Sequence, residues 1–429
     1  MTESNKATNS LPIHAVSTAL PSQTSPHNPK TNDAFDRHNK PRLRRDILLS
    51  ALSTTYPTTT TFHIPPSLTC DLLDLYSRIH DVNMIRFLST AWSEWKTMGE
   101  TRGHYEECCH PQWTKTEEEP LPPLIPCHAA LRNCPNERPS TNVMGAMGYY
   151  CTDTLTPIVG SLVRELQEDA TIVGHAVQWA LREDTTVVYA VTTHPGHHAN
   201  RDNFGGYCYL NNAALCARLM QWQLETGKCI VGEDGGIVSN YWGRDNDSSS
   251  NSSNKKKKKC RVAIIDVDYH CGNGTASIFY SDPSVFFTSI HCDPAIEYPF
   301  NQGYADQTGS EEGEGTTLHI PLAPGATWDG AYKEALEKAM KAIVEFDVAG
   351  LVVSLGLDTY EGDSVAVNRA GFKLSGNDYY EMGLLMGKCM MGKNIPTVFV
   401  QEGGYKMDVV GVAAAKVVGG YATGAAGGE

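Results

Sequence analysis

RVAIIDVDYHCGNGTASIFY (261–280) follows its arginine with four apolar, largely β-branched residues and then with a cluster of polar ones. A short run that is apolar on both alternating faces reads as a strand covered on both sides, the pattern of a buried parallel sheet. Three further runs have the same character: VFFTSI (285–290), AGLVVSLG (349–356) and PTVFVQ (396–401). Upstream, TVVYAVTT (186–193) joins them. Helical patterns fall between, at 209–225, 329–346 and 377–391. Strands alternating with helices predict an α/β fold of three layers, a central and mainly parallel sheet flanked by helices.

The unusual polar residues all follow strand ends: His197 and His198, Asp268 and His270, Asp358, Tyr405. In open α/β sheets the carboxyl edge is where ligands bind. One placement therefore explains five motifs.

Further upstream, KPRLRRDILLSAL (40–52) and residues 68–98 read as helices, the latter from Leu72, Leu73, Leu75, Ile79, Phe87, Leu88 and Trp92. Residues 101–146, with the proline-rich EPLPPLIP, read as loop. Residues 1–34 are expected to be a disordered tail, being Ser/Thr-rich with few acids, and 35–425 a single catalytic domain. Residues 231–259, ending in DNDSSSNSSNKKKKK, are expected to be a low-complexity surface insert, because that composition cannot build a core. Its five lysines read as a solvated charge run before they read as a nuclear signal.

The net charge of −14 argues against nucleic acid as a partner and suits a cationic one, although acidity also serves solubility. Thirteen scattered cysteines without a C-x-x-C pair point to a reducing compartment. With neither a secretory signal nor a membrane-length apolar run, the expected location is intracellular, in cytoplasm or nucleus.

DVDYH sets Asp266, Asp268 and His270 at alternate positions, so their side chains leave the strand end on one side. A carboxylate and an imidazole two residues apart can grip one ion, and Asp358 in SLGLDTYEGD is the natural third ligand. Two carboxylates and one imidazole neutralise a dication and leave an open position, the character of a catalytic zinc site. Adjacent His197 and His198 can supply a base and an acid, with Asp266 orienting one ring and Asn273 the other. Tyr405, after a Gly pair, can donate to a developing oxyanion. Taken singly, each feature has a plainer reading: a strand cap, two satisfied core histidines, a tyrosine over a turn. Together they describe a hydrolytic metal centre.

Five segments carry a resemblance: HPGHHANRDNFGGYCYLNNAA (194–214), VAIIDVDYHCGNGTASIFY (262–280), VFFTSIHCDPAIEYPF (285–300), LVVSLGLDTYEGD (351–363) and FVQEGGY (399–405). They resemble, in order, the histone deacetylase superfamily, specifically the acetylpolyamine amidohydrolases and class II-like deacetylases. LYSRIHDVNMIRFLSTAW (75–92) and MGYYCTDTLTPI (147–158) extend it more weakly. The resemblance implies an arginase-like fold, zinc on Asp268, His270 and Asp358, His197 as base and His198 as acid, and Tyr405 polarising an acetyl carbonyl. It implies Tyr207 and Tyr298 as walls of a narrow channel. It also implies a structural potassium ion on Asp266, the main chain of Asp268 and His270, and Ser289. The expected reaction is hydrolysis of an N-acetylated amine, acetyl-lysine or acetylpolyamine, to amine and acetate. A catalytically weak acetyl-lysine-binding scaffold and an arginase-like ureohydrolase are the competing readings, and a homodimer is the assembly considered. An arginase would want an acid where Gly272 stands.

Two departures stand out. Cys271 occupies the position of the family's second histidine in DxHHGNGT, which predicts an altered surround to the metal and sensitivity to oxidation. TTHPG replaces the frequent RPPG, removing an arginine.

Overall fold

A computed structural model of the chain describes residues 11–18, 41–57, 60–65, 70–102, 121–130, 132, 136–182, 187–238, 260–365 and 370–428. Eight strands build its sheet: β1 (Ile13–Thr18), β2 (Thr60–Ile64), β3 (Val187–Ala190), β4 (Val262–Asp266), β5 (Val285–Cys292), β6 (Thr317–Leu322), β7 (Gly350–Leu355) and β8 (Thr397–Gln401). Their order is β2-β1-β3-β8-β7-β4-β5-β6, and every neighbouring pair is parallel. Among the described residues ten helices accompany them: α1 (Pro41–Thr55), α2 (Leu72–Tyr76), α3 (Val82–Arg102), α4 (Val143–Tyr150), α5 (Leu162–Ala180), α6 (Asn212–Thr226), α7 (Asn273–Phe279), α8 (Lys333–Phe346), α9 (Asp378–Met390) and α10 (Val410–Ala425).

Strand periodicity sorts the core into two layers. In β4, Val262 and Ile264 face a cluster built with α2 to α7, while Ala263 and Ile265 face one built with α1, α8, α9 and α10. Every residue of β3, β4, β5, β7 and β8 is buried, as their doubly apolar sequences require. The chain runs from β3 through α6 to β4, outward to β6, then returns to lay β7 and β8 between them. That reversal opens a crevice at the carboxyl edge, between strands whose connections depart in opposite directions.

The predicted three-layer fold stands, with corrections to its parts. The expected tail of residues 1–34 contains β1, which sits inside the sheet between β2 and β3. Residues 1–10 and 19–34 lie outside the described residues. The expected insert begins with an ordered turn, in which Val231 bridges Ile237 and Ile237 packs against Gly174. Residues 239–259, including the lysine run, lie outside the described residues. The loop expected over 101–146 ends in the first turn of α4, and its stretch 103–120 lies outside the described residues. Among the described residues no helix is long and apolar enough to cross a membrane, and every cysteine is a free thiol.

Candidate active site

The crevice is bounded by four adjacent strands, β3, β8, β7 and β4, and each delivers its polar residues just past its carboxyl end. From β4 come Asp266, Asp268 and His270; from β7, Asp358; from β3, His197 and His198; from β8, Glu402 and Tyr405. Asp268, His270 and Asp358 are buried and bring one ligand atom each to within 4.8 Å of one another. His270 Nδ1 lies 3.1 Å from Asp358 Oδ2 and 3.4 Å from Asp268 Oδ1. Backbone N–H groups hold the carboxylates in aim: Gly403 N donates to Asp268 Oδ2 at 2.9 Å and Tyr269 N to Asp358 Oδ1 at 2.9 Å.

Two buried carboxylates this close are unfavourable without a cation. Burial, then the neighbouring Asp268, pushes Asp358 up to about 7. Burial would raise Asp268 too, yet the His197 and His270 imidazoles hold it below the ordinary carboxylate range. A dication would relieve that conflict, and the donor set of two carboxylates and one imidazole fits one. Gly272 speaks against a second ion ligated there: a Cβ on it would sit 2.1 Å from Asp266 Oδ2, so no acid can replace it without displacing that carboxylate.

The imidazole pair lies beside this set. His197 Nδ1 is 3.0 Å from Asp266 Oδ2, and its Nε2 is 3.8 Å from Asp268 Oδ1. Burial alone would depress His197, but the Asp268 and Asp266 carboxylates prevail and push it up to about 10. His198 Nδ1 instead meets the neutral Asn273 Oδ1 at 2.7 Å. Burial, then the positive charges of His197 and His270, pull His198 well down. The asymmetry expected from one charged and one neutral partner is therefore present, and it leaves His198 the neutral ring. The pair is locked from below, because Gly274 N at the start of α7 donates to the His197 carbonyl at 2.9 Å.

Three tyrosines wall the approach. Tyr298 meets His198 edge-on at 4.8 Å between centroids, and Tyr207 lies 5.8 Å from Tyr405. Gly206, at φ +60°, lets Tyr207 swing past His198, whose ring a Cβ there would strike at 2.4 Å. Burial raises the Tyr405 phenol well above its ordinary value, so it stays protonated. Its hydroxyl has no hydrogen-bond partner among the described residues. Ser289, buried, lies opposite Asp266 in the β4–β5 ladder.

Two residues escaped the sequence reading. Glu402 accepts from Gly196 N at 2.6 Å, from His197 N at 3.1 Å and from Ser354 Oγ at 2.7 Å, fixing the backbone of the imidazole pair. Its place beside the Gly pair in QEGGY was the available signal. Arg44, fully buried, reaches Gly404 O and Thr193 O at 3.3 Å each, and its guanidinium lies 5.4 Å from the Tyr405 ring. An arginine thus stands at TTHPG after all, supplied by α1.

Burial, an open three-ligand set, an imidazole pair and an unpartnered phenol define a hydrolase that works with a metal ion. Comparison with known proteins makes the class specific. Residues 38–231 and 251–421 match the histone deacetylase domain, and the chain belongs to that family, the hydrolases that remove acetyl groups from amines. Acetylpolyamine amidohydrolase 1 of Pseudomonas aeruginosa is 34% identical over 344 residues, 80% of this chain and 81% of that protein. The acetylpolyamine amidohydrolase of Mycoplana ramosa is 32% identical over 351 residues, 82% of this chain and 84% of that one. Among solved structures, the acetylpolyamine aminohydrolase from Burkholderia pseudomallei superposes with a TM-score of 0.64 at 25% identity, covering 88% of this chain and 90% of its own.

Proposed function

We propose that the chain is a zinc-dependent deacetylase of small N-acetylated polyamines, releasing acetate and the free amine. The observation that carries the chemistry is the convergence of the Asp268–His270–Asp358 set with a neutral His198 and an unpartnered Tyr405 hydroxyl. For the substrate, the support is that amidohydrolases of acetylpolyamines align along four-fifths of the chain. The net charge of −14 agrees with a cationic amine.

Bound zinc would polarise the acetyl carbonyl and acidify a water. His198, neutral, is placed to take a proton from the water that attacks the acetyl carbon and to return it to the nitrogen as the C–N bond breaks. His197, kept charged by Asp266, sets a fixed positive charge beside the developing oxyanion. The sequence alone divided base and acid between the two rings; burial and charge favour His198 for both transfers. Tyr405 donates its phenol proton in a hydrogen bond to the same oxyanion. Tyr207 and Tyr298 flank a linear methylene chain, which an aromatic slot desolvates at little entropic cost. A structural potassium ion is assigned to Asp266, the main chain of Asp268 and His270, and Ser289, supported by the burial of the two facing side chains. An intracellular location, cytoplasmic or nuclear, rests on the free thiols.

Chelation should abolish acetate release from N-acetylputrescine, and added zinc should restore it. Asp358→Asn should stay inactive under the same zinc. Acetate release that survives complete metal removal would refute the zinc assignment.

A further inference from the structure

A second set of ligand-type side chains lies beside the catalytic centre and takes no part in it. Ser289 and His291 alternate on β5, so they share a face, and His319 on β6 is the register partner of Ser289. Cys271, in the turn after β4, meets them from the third strand. Cys271, His291 and His319 are all buried, and one ligand atom from each lies within 4.8 Å of the others. The two imidazole centroids are 5.4 Å apart. Cys271 Sγ is 3.6 Å from His319 Nδ1. A zinc ion with Zn–S about 2.3 Å and Zn–N about 2.0 Å at a tetrahedral angle holds its sulfur and nitrogen about 3.5 Å apart. Gly303, at φ +107°, closes over the cluster so tightly that a Cβ would lie 2.8 Å from both Cys271 Sγ and His291 Nε2.

We propose that Cys271, His291 and His319 form a second metal site, selective for zinc and distinct from the Asp268–His270–Asp358 centre. One thiolate and two imidazoles suit a borderline-soft ion and discriminate against potassium, magnesium and calcium. His291 is already in the required tautomer: Nε2 donates to Gly303 O at 2.9 Å, leaving the Nδ1 lone pair to accept from Ser289 Oγ at 2.8 Å. The ion replaces the Ser289 hydroxyl at Nδ1 and the thiol proton leaves to solvent, with water as fourth ligand. Such an ion ties together the ends of β4, β5 and β6. It braces the residue next to His270 and the root of the loop that carries Tyr298.

Cobalt(II) titration of the metal-stripped full chain tests this. The Asp268–His270–Asp358 set offers only oxygen and nitrogen, so a near-ultraviolet thiolate-to-cobalt charge-transfer band reports a thiolate site outside it, which Cys271→Ser assigns. Wild type should bind two equivalents and develop the band with one of them. His319→Asn and Cys271→Ser should each bind one equivalent without the band, the retained equivalent certifying the fold. Asp358→Asn should lose the bandless equivalent and keep the band, so failure of the catalytic assignment is read separately. Wild type that binds without any sulfur band overturns the proposal. A band that persists in Cys271→Ser also overturns it, because other thiols then account for the signal.

Discussion

Tyr405 offers a hydroxyl with no partner among the described residues, protonated by burial, beside a set of three metal-type ligands. Tyr405→Phe should lower kcat by about 10²–10³, the usual cost of one oxyanion donor, with zinc content unchanged by elemental analysis. Glu402 acts differently, by satisfying the backbone N–H groups of Gly196 and His197. Glu402→Ala should destabilise the fold by roughly 2–3 kcal/mol in urea unfolding, since it strands two buried donors. Asp268, His270, Asp358 and the imidazole pair were legible because charged residues at the ends of apolar strands have few other reasons to be there. Arg44 was not legible. In KPRLRRD it reads as one of several solvated cations, and only the packing of α1 against α10 carries it to the loops after β3 and β8, where it is buried.

Among the elements, the fully buried strands were readable and the outer ones were not. The IHAVST of β1 lies in a Ser/Thr-rich stretch whose composition outweighs six residues of pattern. In β6 three residues are only half-buried, and its run includes a histidine and a proline, which blurs it. Helix α10, VGVAAAKVVGGYATGA, lacks a polar face because it packs against α9 and α1, so it shows little amphipathic period. The junction before α3 makes its own testable contribution. His80 Nδ1 donates to Asn200 O at 2.7 Å and Nε2 accepts from Asn211 N at 2.9 Å, clamping both ends of the segment that follows the imidazole pair. Burial, opposed by the backbone bonds, lowers its pKa to about 4 from the ordinary 6.5. The unfolded chain therefore binds the proton first as pH falls. The stabilisation is complete above pH 6.5 and is lost on descent to about 4, on the order of 3 kcal/mol in all. Urea midpoints for wild type should fall across that window, while His80→Gln should be less stable at pH 7 and lose less on acidification. Parallel pH profiles for the two proteins would refute this role for His80.

For the whole molecule, the parallel sheet explains why residues separated by up to 208 positions, from His197 to Tyr405, converge: every strand ends at the same edge, and the chain reversal between β3 and β4 leaves the crevice there. The proposed choice of a small cationic amine over a protein tail is supported by the acetylpolyamine amidohydrolases that align along four-fifths of the chain. That choice was not legible in the sequence, because an acetylpolyamine and an acetyl-lysine present the same reacting end to the metal. The most direct measurement is kcat/KM for N-acetylputrescine against an acetylated histone-tail peptide, made side by side on the zinc-loaded full chain. A preference of about tenfold or more for the polyamine, a transition-state difference of about 1.4 kcal/mol, is expected. Equal rates, or a preference for the peptide, would contradict the assignment.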